Sequence, residues 1–386
     1  MSSKLSKGRP TKGGLQTRVW GSLENNFTRN LLLAVALLVG ILALIDAAWA
    51  RGRPQPPPPP PTAGDSPQAR FWHGFTGNGA TLGTASRLYL LGGSSGSPDY
   101  AALNDLWYYR VDNNTWTLAP VGKTTPPGLQ HVGWACNGAR CVAAGGSNGV
   151  SPERDTWIYS YTGSSGAWSK INCRKSPCPT PRQDAALAWD PDHGQFLLFG
   201  GLDVSYTSLD DTYTLSGTTW TKRIAGVTPG SRDRAAATHV PGRGVIMFGG
   251  QRTGSAFEMV CDMFAWNGSQ WVEVTQSGGP CLHSHSMAWE SDAPGGGRLI
   301  VAGGYTDQAD TANNDVWYFT FTGPTAGSWQ KRSGQLSCHF DGYSGGIRKG
   351  AVMTRDVPSG KKVFFGGGEN VAGNGAVTYD DMAVCD

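Results

Sequence analysis

A hydrophobic run closing on a pair of glycines recurs six times along this 386-residue chain. The runs are LYLLGG ending at Gly93, CVAAGG at Gly146, FLLFGG at Gly201, VIMFGG at Gly250, LIVAGG at Gly304 and VFFGGG at Gly368. The first glycines of the first five pairs stand 53, 55, 49 and 54 residues apart, and the sixth follows after about 63. Repetition at such a period marks a supersecondary unit that cannot bury its apolar face alone and stacks on its neighbours. Each pair is followed by Asp-x-aromatic or a variant of it. These are Asp105-Leu106-Trp107, Asp155-Thr156-Trp157, Asp211-Thr212-Tyr213, Asp262-Met263-Phe264, Asp315-Val316-Trp317 and the degenerate Asp381-Met382-Ala383. In five units a turn then leads to a second tryptophan: Trp116, Trp168, Trp220, Trp271 and Trp329.

With 55 glycines, 15 tryptophans and few long amphipathic runs, the composition fits short strands and tight turns, not helices. The glycine pair, the Asp-x-aromatic step and the spaced tryptophan together resemble the Kelch repeat, found in Kelch-type and galactose-oxidase-type propellers. The resemblance covers essentially all of residues 70–386. It implies an all-β, six-bladed Kelch-type β-propeller, and the residues ahead of it read as an N-terminal hydrophobic helix and a Pro-rich linker. The glycines would let the second strand end in a conformation that a Cβ obstructs. The aromatics of the third and fourth strands would pack between blades. In the last unit no second tryptophan follows, so the sixth blade is expected to lack its outer strand unless residues 62–69 supply it. Cys338 is expected to open that blade's inner strand.

Ahead of the repeats, residues 31–50 read LLLAVALLVGILALIDAAWA. At about 1.5 Å per residue this just spans the ~30 Å hydrocarbon layer. Residues 1–69 hold eight Lys or Arg against three Asp or Glu, a net +5 in a chain of net +3, which leaves the rest at −2. The basic side is expected to stay cytoplasmic. Two outcomes share this topology. An uncleaved signal anchor makes a single-pass type II membrane protein with a lumenal or extracellular propeller. Cleavage after Ala48-Trp49-Ala50 secretes it. The chain therefore divides into a basic tail (1–30), a transmembrane signal anchor or signal peptide (31–50), a Pro-rich linker (51–69) whose six-proline run forms a stalk, and the propeller (70–386). A near-neutral folded part has no electrostatic reason to seek nucleic acid.

Eight cysteines without a CxxC pair read as disulfides in an oxidising compartment. Cys136 and Cys141 could bridge a hairpin, Cys173 with Cys178 could close a loop, and Cys261 is left with Cys281. Cys338 with Cys385 would fasten the last blade. Two sequons, at Asn113 and Asn267, fall in equivalent turns before a fourth-strand tryptophan and are candidate glycosylation sites.

The starts of the inner strands converge on one face and offer a polar rim of Arg70, His73, His131, Arg182, Asp184, Arg232, Arg234, His283, His285, His339 and Asp341 as ligand-binding candidates. His73, His131 and His285 are read as sharing one register. Three imidazoles could hold a metal, but bracing a neighbouring blade is the stronger reading, so no metal, catalytic residue or cofactor is assigned. Nothing matches the copper ligands of galactose-oxidase-type enzymes. The Glu-x-x-x-Asp-x-x-x-His iron motif of plant specifier proteins is approached only by Glu258-x-x-x-Asp262-x-x-x-Trp266, which lacks the last ligand. No motif supports a mutarotase. The sequence thus favours an extracytoplasmic Kelch-repeat scaffold that recognises a protein or glycan through propeller-face loops, joined to the membrane through residues 31–50. The alternative is a carbohydrate-active enzyme, oxidase-like or mutarotase-like, using the polar axial rim. A cytosolic adaptor role is disfavoured by the hydrophobic segment.

Overall fold

The computed structural model describes residues 66–386, apart from 78–85, 96–99, 163–164, 174–176, 225, 255, 294–295, 308–312, 314, 333–337, 341–351, 356–360, 366–381 and 386. The hydrophobic segment at 31–50, the basic tail and most of the linker lie outside these residues. Among the described residues no helix is long and apolar enough to cross a membrane.

The described residues form an all-β Kelch propeller. Each of the first five glycine-pair units builds a four-stranded antiparallel meander. The first sheet runs Gly74–Gly77, Leu88–Leu91, Leu106–Arg110, Thr115–Leu118, and the next four repeat that plan. In the fifth, an additional strand, Thr275–Ser277, pairs in parallel with the outermost strand Ala326–Lys331 and so stitches the incoming connection to the sheet edge. The inner strands lie side by side around an axis. Val352–Arg355 sits beside both Ser286–Glu290 and Gly74–Gly77.

The last sheet departs from the sequence expectation. Its order places Cys338–Phe340 outermost, then Met382–Cys385, Lys362–Phe365 and Val352–Arg355. The inner strand is therefore Val352–Arg355, and Cys338 opens the outer strand instead. Residues just ahead of the inner strand cover the edge that the missing tryptophan strand would have left open. An uncovered edge exposes a row of unpaired backbone groups, which is why the position is filled.

Sheet residues alternate between two neighbours, and both sides are buried, so the strands read as continuous apolar runs. Tyr89 and Leu91 pack with Trp134, Trp157 and Trp168 of the second sheet. Leu88 and Leu90, one residue away, pack with Val363 and Phe365 of the last. Equivalent wedges fill the other junctions. Two of the fourth-strand tryptophans also donate backwards across a junction, Trp220 Nε1 to Thr156 Oγ1 and Trp271 Nε1 to Thr212 Oγ1, both at 3.0 Å.

The glycine pair is the latch between blades. Gly200 and Gly201 have φ of +62° and +101°. A Cβ on Gly200 would stand 2.3 Å from the Arg232 carbonyl oxygen, and one on Gly201 2.7 Å from the Gln183 carbonyl oxygen. That space lets Gly201 N–H donate to the Arg232 carbonyl of the next blade at 2.9 Å. Gly93, Gly146 and Gly250 make the same bond to Leu129, Arg182 and Leu282.

Disulfides join Cys136 to Cys141, Cys173 to Cys178 and Cys261 to Cys281, the first two as the hairpin and loop pairings expected and the third as the pair left over.

Candidate functional site

Five residues at equivalent places, just ahead of the inner strands, encircle one end of the axis: Trp72, His131, Asp184, Arg234 and Ser284. Each is held in the left-handed region, with φ between 53° and 57°. His131 N–H donates to the Trp72 carbonyl, Asp184 to His131, Arg234 to Asp184 and Ser284 to Arg234, every bond at 2.9 Å. Non-glycine residues adopt this backbone only where surrounding structure enforces it, and such positions cluster at functional sites. Here the belt of hydrogen bonds supplies the enforcement.

The side chains of the belt interact in series. The Trp72 and His131 rings lie 4.2 Å apart at 31°. His131 Nδ1 is 2.7 Å from Asp184 Oδ1, and Arg234 Nε donates to Asp184 Oδ2 at 3.5 Å. Burial alone would raise the Asp184 pKa. Attraction from His131 and Arg234, with the hydrogen bond from His131, outweighs it and keeps the carboxyl well below the usual range. Next to it Asp233 is raised, first by burial and then by the Asp184 charge, although Ser208 Oγ donates to it at 2.5 Å.

Behind the belt runs an axial cavity of about 650 Å³. Its wall is mostly small and apolar, with Ala186, Ala188, Ala235, Ala237 and Ala288 facing it. A polar mouth over an apolar shaft is the common composition of a binding site.

Three of the eleven sequence candidates, His131, Asp184 and Arg234, thus stand at the mouth. Trp72 and Ser284 were missed. A signal for them exists: each belt residue follows by two an arginine or leucine (Arg70, Leu129, Arg182, Arg232, Leu282). Those arginines are not rim residues. Arg70, Arg182 and Arg232 are at most 1% exposed and each fixes the aspartate of its own blade's Asp-x-aromatic step. Arg182 donates to Asp211 Oδ1 and Oδ2 at 2.5 and 2.9 Å and to the Gly200 carbonyl at 2.8 Å. Arg70 holds Asp105 and the Gly92 carbonyl in the same way, and Arg232 holds Asp262 and the Gly249 carbonyl. Where leucine replaces the arginine, the aspartate turns outward instead, Asp155 to Lys170 and Asp315 to Lys331.

The shared register read for three histidines is also corrected. His131 belongs to the belt, whereas His73 and His285 sit one residue later, under the second glycines of their own blades. A Cβ on Gly93 or Gly304 would meet their Cβ atoms at 2.8 Å. Because a one-residue step reverses side-chain direction in extended chain, these two cannot join His131 around a metal. They are buried between blades, with Phe365 and Phe248 against them. Burial, helped by Arg70 for His73 and by His283 for His285, lowers both pKa values to about 3. His283 is buried too, stacked on Tyr305 at 5.0 Å. His339 lies on the outermost strand of the last sheet, away from the axis, and Asp341 falls outside the described residues. Glu258 and Asp262 of the motif compared with the specifier proteins are each taken up by arginine, Arg252 and Arg232.

The loops after the glycine pairs and the connections between sheets share this face with the mouth. Among the described residues, the exposed large apolar side chains are Tyr100, Val150, Val204, Tyr206, Ile224 and Val227. All six stand on those loops and connections, with Tyr206 63% and Ile224 96% exposed. The sequon turns at Asn113 and Asn267 are on the opposite face.

A family model described as the KLHDC2/KLHL20/DRC7 Kelch-repeats domain matches residues 55–222 and 158–336. The two matches together take in the belt, the latch glycines of five repeats and all three buried arginines, and they span well over half of the chain. The chain belongs to the KLHDC2/KLHL20/DRC7 Kelch-repeats domain family.

Proposed function

We propose that this chain is an extracytoplasmic propeller that binds a partner protein through the mouth face. The observation that carries the reading is the gathering of the exposed large apolar side chains on one face, around a rigid polar mouth. Scattered single apolar residues need no explanation, but a one-sided set marks an interaction surface. Aromatic and aliphatic anchors with a few charged groups are what protein interfaces use. Kelch domains generally serve as protein-binding scaffolds, which supports the same reading.

On this reading the propeller closes as six blades, with the Val352–Arg355 sheet as the sixth. The hydrophobic segment and the basic residues before it support a type II anchor or a cleaved signal, and the three disulfides favour an oxidising compartment. Glycans on Asn113 and Asn267 would then cover the face away from the partner. Cys338 and Cys385 are register partners in the last sheet, which supports a fourth disulfide closing the ring. Unreduced, denatured protein is expected to show no free thiol by thiol titration, and Cys338→Ser to show one. Two thiols in the unaltered chain would remove the fourth bridge.

The binding reading is tested by proximity labelling with the full-length protein. Tyr206→Asp and Ile224→Asp are expected to lower recovery of the principal partner by roughly 30-fold, the scale of a hot-spot loss of about 2 kcal/mol. Thr218→Asp, on the opposite face, is expected to leave it unchanged. Equal recovery from all three variants would reject the mouth face as the docking surface.

A further inference from the structure

We propose that Asp190, Asp192 and His239 form a binding site for one divalent metal ion of the zinc or manganese type, at the far end of the axial cavity from the mouth. Asp190 ends the inner strand Ala186–Asp190, Asp192 lies in the turn after it, and His239 comes from the neighbouring inner strand Ala236–Val240. One ligand atom from each of the three lies within 4.8 Å of the others. Ligand atoms on opposite sides of an ion at about 2.0–2.2 Å stand up to about 4.4 Å apart, so the cluster has the dimensions that a single ion spans, with the His239–Asp192 pair opening to admit it.

A second observation points to a cation. Asp190 is fully buried. Its Oδ2 receives hydrogen bonds from Gln195 Nε2 at 3.3 Å and contacts His193 Nδ1 at 2.8 Å. Its Oδ1 is buried with no hydrogen-bond partner. A buried carboxylate oxygen without a donor is costly, and a bound cation would satisfy it. His193 then takes the place that an outer partner usually holds, orienting the ligating carboxylate from behind.

The donor set decides the class of ion. Two carboxylates and one imidazole, with no thiolate, suit zinc or manganese and disfavour soft cuprous ions. Two carboxylates also neutralise a divalent charge. His239 lines the axial cavity, and its side chain is 16% exposed against 42% for Asp192, so the ion would be reachable from solvent and keep positions open. His239 Nε2 and Asp192 Oδ2 are now 2.8 Å apart in a direct hydrogen bond, which the ion would replace on both sides.

The test uses the full-length protein, stripped with a chelator and dialysed against Zn²⁺ or Mn²⁺ alone, with bound metal measured by elemental analysis and affinity by calorimetry. Saturable binding of one ion per chain is expected. Asp192→Asn, at an exposed position, and His239→Gln are each expected to weaken it tenfold or more while leaving the circular dichroism spectrum and the urea midpoint in place. Asp210→Asn, an exposed control on the mouth face, should bind as the unaltered chain does. Absence of saturable binding by either ion, or equal affinity in all variants, would overturn the proposal and leave two structural His–Asp pairs.

Discussion

Arg182→Ala is expected to lower the stability of the propeller by about 3–5 kcal/mol, the cost of leaving one partner of a buried ion pair alone. The guanidinium is 1% exposed and Asp211 12%. Its removal strands a buried carboxylate together with the Gly200 carbonyl that forms part of the interblade latch. The second blade provides the internal comparison. There Leu129 occupies the arginine's position, and Asp155 pairs with Lys170, whose side chain is 47% exposed. Exposed pairs contribute little, so Asp155→Ala is expected to cost under about 1 kcal/mol. Urea denaturation of the two variants beside the unaltered chain measures the contrast. Similar losses in both would mean that the buried arginine is not the anchor of its blade.

The propeller is also expected to lose stability steeply as pH falls from 6.5 to 5. His73 and His285 stay neutral in the folded state because burial holds their pKa values at about 3, while in the unfolded chain they titrate near 6.5. Below pH 6.5 the unfolded state therefore binds more protons, and each histidine removes up to about 1.4 kcal/mol per pH unit as its unfolded form becomes fully protonated. Together they amount to roughly 3 kcal/mol between pH 6.5 and 5, a large fraction of a typical folding free energy of about 5–15 kcal/mol. The charged groups near His73 are Arg70 and Asp105, and His283 faces His285. Carboxyls with lowered values (Asp105, Asp184, Glu290) add their loss only at lower pH, near and below their ordinary range. Asp233 and Glu153 are raised and oppose the trend as they protonate. Valine already stands at the equivalent place in the second blade, as Val132, so His73→Val and His285→Val are the tests. Each should halve the slope of urea midpoint against pH in this window. An unchanged slope in both would show that other groups control the acid response.

The two predictions concern residues whose chemistry was visible in the sequence but whose roles were not. Arginine and histidine at the starts of inner strands read as a ligand rim because charged groups near a propeller axis usually face solvent. Arg182 is instead drawn inward by an aspartate 29 residues later in the chain. That partner arrives only when the glycine turn folds the third strand back against the second. The histidine register slipped by one residue, and with a period of two that slip moves a side chain from the mouth into a blade junction. The outer strand of the last sheet was unreadable for a related reason. Nothing local in Cys338–Phe340 distinguishes an inner strand from an outer one, since both are extended and the choice depends on which edge is unfilled.

Taken by itself, the sequence determined the repeat, the four-stranded plan of the first five blades and the glycine turn that ends each second strand. The demand for glycine at φ near +60° and +100° and for apolar side chains on both faces of a strand is local, and local demands are written into each repeat. Tertiary structure alone decided which polar residues face the mouth. The belt of Trp72, His131, Asp184, Arg234 and Ser284 exists because five blades place equivalent backbones within hydrogen-bond reach around one axis, a distance relation that no single repeat contains.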